Sequence, residues 1–214
     1  MRGNFSRSSA MHVVTLADSC DTVPYSAPMA IREILIYPDD RLREVARPVE
    51  FPLTDEVKQI IQDMAETMYD APGVGLAATQ IGVPLRIAIT DTDWRSEEVR
   101  HDDNDSPVAA RNLKVWINPQ FTWRETGLAT WEEGCLSVPE VYEDVDRPAT
   151  VRLKWQGMDG KIYEEDFEGF QAVALQHEFD HLDGILFIDK LSRLKQNLIK
   201  KRLKKRKRLQ ELNG

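Results

Sequence analysis

The run Gln176-His177-Glu178-Phe179-Asp180-His181-Leu182-Asp183-Gly184 limits the fold of this chain more than any other. Residues four apart share one face of an α-helix, so His177 and His181 can turn two imidazoles towards one metal ion only if the stretch is helical. The flanks agree. From about Glu168, Phe170, Val173, Ala174, Leu175 and Leu182 mark an amphipathic run, and Gly184 is suited to stop it. Glu178 follows the first histidine directly, where a carboxylate reaches a water beside the ion. The 214 residues contain four histidines, so two of them bracketing a Glu at this spacing argue for a metal site over unrelated surface groups.

A catalytic metal site takes three protein ligands and leaves a position open. The continuations used by other H-E-x-x-H hydrolases fail here. The metzincin pattern needs a His where Phe187 stands, and a thermolysin-like Glu on a following helix is missing, because only Asp189 and Glu211 are acidic beyond Gly184. The third ligand must come from upstream, and Cys135 is the strongest candidate.

The length fits one domain able to form a core without disulfides. Pairing Cys20 with Cys135 would tie a peripheral segment to the middle of a motif, so a reducing compartment is expected. No apolar run approaches the ~18 residues of a membrane-spanning helix. The net charge of −8 is uneven. Residues 190–214 hold 11 of the 28 basic residues and one of the 36 acidic ones, which leaves −18 on residues 1–189. Such a tail calls for a polyanionic partner.

Residues 1–28 carry Arg2, Arg7 and several serines but no apolar core of a secretory signal, and read as a disordered extension or a start placed upstream of Met29. The acid-free first seventeen residues leave organellar targeting open beside a cytoplasmic location. Residues 31–36 read as a strand ended by a turn. Thr54 is positioned to cap a helix whose Val57, Ile60, Ile61, Met64 and Met68 face a core. Residues 72–80 form a small-residue segment that suits a wall where a backbone approaches a ligand closely. Residues 85–90 and 114–117 read as strands on either side of an acidic loop at 91–112, and residues 151–155 and 161–167 as a hairpin across Asp159-Gly160. Residues 185–188 read as extended. Ser192 then caps a helix to about Leu212, with Leu191, Leu194, Leu198 and Ile199 as its apolar side and a second half too charged to pack inward. The expected fold is α+β: mostly antiparallel sheets packed around a central metal-binding helix, followed by a C-terminal helix.

Three ordered motifs, Gly73-Val74-Gly75-Leu76-Ala77-Ala78-Thr79-Gln80, Glu133-Gly134-Cys135-Leu136-Ser137 and His177-Glu178-Phe179-Asp180-His181, resemble those of the peptide deformylases of the type I, bacterial-like group. The resemblance runs from about Met29 to the C-terminus and divides the chain into an extension (1–28), a catalytic domain (29–189) and a basic C-terminal helix (190–214). It implies hydrolysis of the formyl amide of formyl-methionine on nascent chains, releasing formate. The implied ligands are Cys135, His177 and His181, the implied proton carrier is Glu178, and Gln80 with the Leu136 backbone N–H would stabilise the oxyanion. The peptide would add as a strand against Gly75 and Gly134, its methionine among Val74, Leu136, Val173 and Ala174. Glu133 would pair with Arg147. The metal in the family is usually ferrous iron, with zinc and nickel forms, and the resemblance assigns the C-terminal helix to ribosome docking. Tyr142 stands where some members carry an Arg beside the substrate. An H-E-x-x-H metallopeptidase is the alternative reading.

Overall fold

The computed structural model describes residues 30–93, 100–101, 107–108 and 111–213. The extension at 1–28, Cys20 and the acidic side chains of Glu97, Glu98, Asp102, Asp103 and Asp105 lie outside the described residues. Three α-helices are present among them: α1 (Asp55–Asp70), α2 (Gly169–Leu182) and α3 (Arg193–Asn213). The strands are β1 (Gly75–Ala77), β2 (Ile87–Thr90), β3 (Arg100–His101), β4 (Pro107–Val108), β5 (Lys114–Arg124), β6 (Leu128–Cys135), β7 (Val138–Pro148), β8 (Thr150–Gln156) and β9 (Ile162–Glu168). β1-β2-β5-β8-β9 form one antiparallel sheet in that order, while β3-β4 and β6-β7 are separate hairpins.

Both faces of the sheet's first strands are covered. Leu76, Ile87, Ile89 and Ile117 pack against Ile60, Ile61, Met64 and Met68 of α1. The alternate residues Ala77, Ala88 and Trp116, with Val151, Leu153 and Phe167, receive Ala172, Leu175, Phe179 and Leu182 of α2. This is the period-two alternation of strands buried on two sides. α1 starts where expected, with Thr54 Oγ1 accepting from Val57 N at 3.3 Å. α2 has no side-chain cap, since Glu168 makes none. Its packing holds it instead: fully burying a Leu or Phe side chain contributes about 1.5–3 kcal/mol, against about 1 kcal/mol for a cap.

α2 is less amphipathic than its sequence implies. Residues 172–179, His181 and Leu182 are all buried, and only the start of the helix, at Phe170, is open to solvent. Residues 31–36 are extended but pair with no strand among the described residues. Their bonds go to α1 and to the turn after β1: Ala30 N and Arg32 Nε donate to Asp63, Arg32 N to Thr67 Oγ1, and Leu35 N to the Gln80 carbonyl. β5 runs through Pro119 to Arg124 because a bulge, with Asn118 at φ 51°, absorbs the proline. The Asn118 amide braces that bulge by bonding both backbone groups of Val49. Residues 187–190 form a 3-10 turn rather than an extended segment, burying Phe187 and Ile188. Among the described side chains of α3, Ile199 and Leu203 are buried, while Leu194 (71% exposed) and Leu198 face solvent. The charged second half of α3 therefore does pack inward, through Leu203 at 3% exposure.

α2 ends at a turn only glycine fits. Gly184 has φ 70°, and a Cβ there would lie 2.5 Å from the Arg43 carbonyl oxygen. Gly184→Ala is expected to lose about 1–2 kcal/mol from left-handed strain alone, and more from the backbone clash. A urea midpoint equal to that of the parent protein would contradict this account.

Candidate active site

α2 places His177 and His181 one turn apart, ring centroids 5.0 Å from each other. The β6–β7 hairpin brings Cys135 across to them, its Sγ 3.2 Å from His181 Nε2. One ligand atom from each of Cys135, His177 and His181 lies within 4.8 Å of the others. Metal–sulfur and metal–nitrogen bonds of about 2.3 and 2.0–2.1 Å at a tetrahedral angle separate the two donors by about 3.5 Å. The three residues fit a divalent ion by that measure. The donor set, one thiolate and two imidazoles, also suits borderline ions such as iron or zinc.

His177 is oriented from behind. Its Nδ1 donates to Glu133 Oε2 at 2.8 Å, which turns Nε2 the other way. Glu133 is gripped in turn by Arg147 through both carboxylate oxygens, with Nη2 2.8 Å from Oε2 and Nε on Oε1. Arg147 Nη1 also donates to Asp180 Oδ2 at 2.7 Å, and Lys190 Nζ reaches the same oxygen at 3.0 Å. Burial alone would raise the Glu133 carboxyl, but the bonds from Arg147 and His177 outweigh it and hold it at about 2. The two rings differ. Burial would lower His177, yet Cys135 and Glu133 keep it well above its ordinary value, whereas burial beside His177 and Arg147 holds His181 well below.

Glu178 is buried, and burial pushes its carboxyl up to about 7. Its Oε2 makes no hydrogen bond, nor does His181 Nδ1. The other wall is Gly75, where a Cβ would collide with the Glu178 carboxylate, so the small residue is a steric requirement of this carboxylate. Gln80 sits in the 3-10 turn after β1. Its Oε1 accepts from Ala77 N at 2.8 Å, which directs Nε2 towards Ser137 Oγ (3.1 Å) and Cys135 Sγ (3.7 Å). Val74, Gly75, Gln80, Gly134, Cys135, Leu136, Val173, Ala174, His177 and Glu178 all line one cavity of about 470 Å³, while His181 lies beneath it, 1% exposed.

A polypeptide deformylase family profile matches residues 31–197. The chain belongs to the peptide deformylase family. It is similar to the peptide deformylase of Novosphingobium aromaticivorans, 50% identical over 184 residues that cover 83% of this chain and 97% of that one. Among solved structures, the Legionella pneumophila peptide deformylase superposes with a TM-score of 0.71 at 43% identity, covering 85% of this chain and 98% of the other. The Ehrlichia chaffeensis enzyme in complex with actinonin gives 0.72 at 31%, over 84% and 99%. A class I type b enzyme of Acinetobacter baumannii with Met-Ala-Ser bound gives 0.66 at 30%, over 77% and 100%. As a deformylase this chain is a metal-dependent hydrolase that removes the N-terminal formyl group, not an endopeptidase.

The sequence names Ser137, Asp180 and Tyr142 in or beside its motifs, but not the contacts they make in this deformylase, nor the part played by Lys190. Ser137 steadies the Gln80 amide, Asp180 and Lys190 extend the Glu133–Arg147 pair, and the Tyr142 ring lies so close over Gly134 that a Cβ there would be 2.6 Å from it. For Asp180 a signal existed: it follows His177 by three residues and so shares its helix face. The Glu133–Arg147 pair is the structural keystone, both side chains being under 5% exposed. Removing one partner of such a pair leaves the other charge buried. Arg147→Met is expected to cost about 3–5 kcal/mol and to weaken metal retention by about 10–100-fold, read by denaturation and by metal titration. Arg152→Met, at the exposed Asp166 pair, should leave both readings near those of the parent.

Proposed function

We propose that Cys135, His177 and His181 hold one divalent ion, ferrous iron by the family resemblance and zinc or nickel as alternatives, and that Glu178 is the proton carrier of formyl hydrolysis. A bound ion lowers the pKa of water to about 7 and so supplies hydroxide at neutral pH. The remaining roles fall to side chains. Gly75 and Gly134 flank the extended peptide backbone, and Val74, Leu136, Val173 and Ala174 enclose the methionine side chain. The Met-Ala-Ser bound to the Acinetobacter relative supports a peptide in this cavity. The formyl oxygen points at the Gln80 amide and the Leu136 N–H, which stabilise its charge as it develops. Glu178 accepts a proton from water and delivers it to the departing α-amino group.

The observation that carries this reading is the buried Glu178 carboxylate, one oxygen without a partner, in the cavity wall beside the three ligand atoms. Burial raises this carboxyl above its ordinary value, which favours its taking a proton and returning it. Glu178→Gln should retain metal and peptide binding while kcat falls by about 10²–10⁴. Gln80→Leu should lose about 10²–10³ in kcat. Cys135→Ala should lose metal and formate release together, and metal analysis of protein purified without oxygen would identify the ion. Formate release from a formyl-Met peptide, measured beside cleavage of an unformylated one, separates this reaction from peptidase action. Near-normal turnover of Glu178→Gln would remove it as the proton carrier.

We further propose that residues 190–214 form a basic element that docks on the ribosome, in the compartment where translation occurs, and that residues 29–189 form the catalytic domain. The exposed Lys201, Lys204, Lys205, Lys207 and Arg208 supply cations for phosphates. No described helix is long and apolar enough to cross a membrane. Because Leu203 is buried, the informative truncation removes residues 204–214 and keeps it. This variant should lose low-salt co-sedimentation with ribosomes, while the full chain should lose it steeply as salt rises. Co-sedimentation of the truncated protein at the parent level would assign the run to an ordinary solvated helix end.

A further inference from the structure

α3 reaches the rim of the substrate cavity through one residue. Glu140 lines that cavity, and its carboxylate pairs with Arg206 at 2.9 Å and Arg202 at 3.6 Å on α3. Leu203, between the two arginines, is buried among Val138, Val141 and Ile199, which fixes this part of α3 against the start of β7. A second cavity, about 410 Å³, runs beside it and is lined by Pro139, Leu203 and Arg206, so Pro139 separates two hollows and belongs to both. Glu140 itself is held at φ 62°, a left-handed conformation that a non-glycine residue adopts only at a cost. No Lys or Arg is among the cavity-lining residues, whereas Glu132, Glu133, Glu140 and Glu178 are. Glu133 already has Arg147. The two helix arginines are thus what offsets the Glu140 charge at the rim.

We infer that Arg202 and Arg206 act as positioning residues for substrate, setting through Glu140 the charge that meets the peptide just beyond its methionine. A polyanion that draws these arginines away unmasks Glu140, so occupation of the tail is felt as a change in which peptides bind well. That last step rests on the proposed polyanion-binding role of the tail; the contact between α3 and the rim does not. The Glu140 side chain is 62% exposed, so the coupling is modest, roughly 1.5–5-fold in KM, the range an exposed ion pair spans.

The test compares two formyl-Met peptides that differ only in a Lys or a Glu after the methionine. In Arg202→Ala/Arg206→Ala, the ratio of KM for the Glu peptide to KM for the Lys peptide should rise by that factor with kcat unchanged. Adding Glu140→Gln should cancel the rise. Partial loss of fold cannot imitate this result, because it lowers turnover of both peptides alike. Polyuridylate RNA added to the full chain at low salt should raise the same ratio, and should fail to do so in Glu140→Gln even though the RNA is still bound. An unchanged ratio in the double arginine variant overturns the inference, whatever the RNA does. If that variant responds but RNA does not bind the full chain, the rim contact stands and the polyanion reading of the tail falls.

Discussion

The structure depends on burying a polar helix. α2 carries two histidines and a glutamate into the interior, and an isolated charge there would be far too costly. The apolar side of the helix secures it against Ala77, Ala88, Trp116 and Phe167. Most of its polar side is tolerated because it has counterparts: Glu133 for His177, Arg147 for Glu133 and Asp180, and the Cys135 sulfur for His181. The atoms left over, Glu178 Oε2 and His181 Nδ1, belong to the site itself. Placing these groups on the most buried helix gives rigid geometry, which the proposed site of three ligands and a carboxylate needs.

Small residues do the complementary work. Ala77 and Ala88 let α2 lie close to the sheet, and Gly75 yields its side-chain volume to the Glu178 carboxylate. Gly134 does the same for the Tyr142 ring at the cavity mouth. A methyl group at either glycine would displace a side chain that lines the cavity, so these positions shape the site without contributing a side chain to it.

α3 is bound to the rest of the described structure at two levels. Ile199 and Leu203 bury apolar surface against β7 and the 3-10 turn, and around them Lys195, Lys200, Arg202 and Arg206 pair with Glu143, Asp189 and Glu140. Exposed pairs of this sort add little stability each. Their consequence is positional: a strongly basic helix is seated next to the cavity that holds Glu178 and Cys135.

What was legible in the sequence was local. The i, i+4 histidines imply a helix, the Thr54 cap and the Ile/Met stripe imply α1, and the Asp159-Gly160 turn implies the β8–β9 hairpin, because each depends on residues a few positions apart. Three fixed motifs were enough to carry the family. Tertiary structure decided what depends on distant partners. Residues 31–36 have a strand's composition but bond to side chains of α1, and β5 continues past Pro119 because Asn118 finds Val49. Leu194 and Leu198 look like an apolar side, but the surface available to α3 meets Ile199 and Leu203. Ser137 behind Gln80, Lys190 on Asp180 and Arg206 on Glu140 were invisible for the same reason. A side chain's type is written in the sequence, but the charge or surface it meets on another element is set only when the sheet and helices close around it.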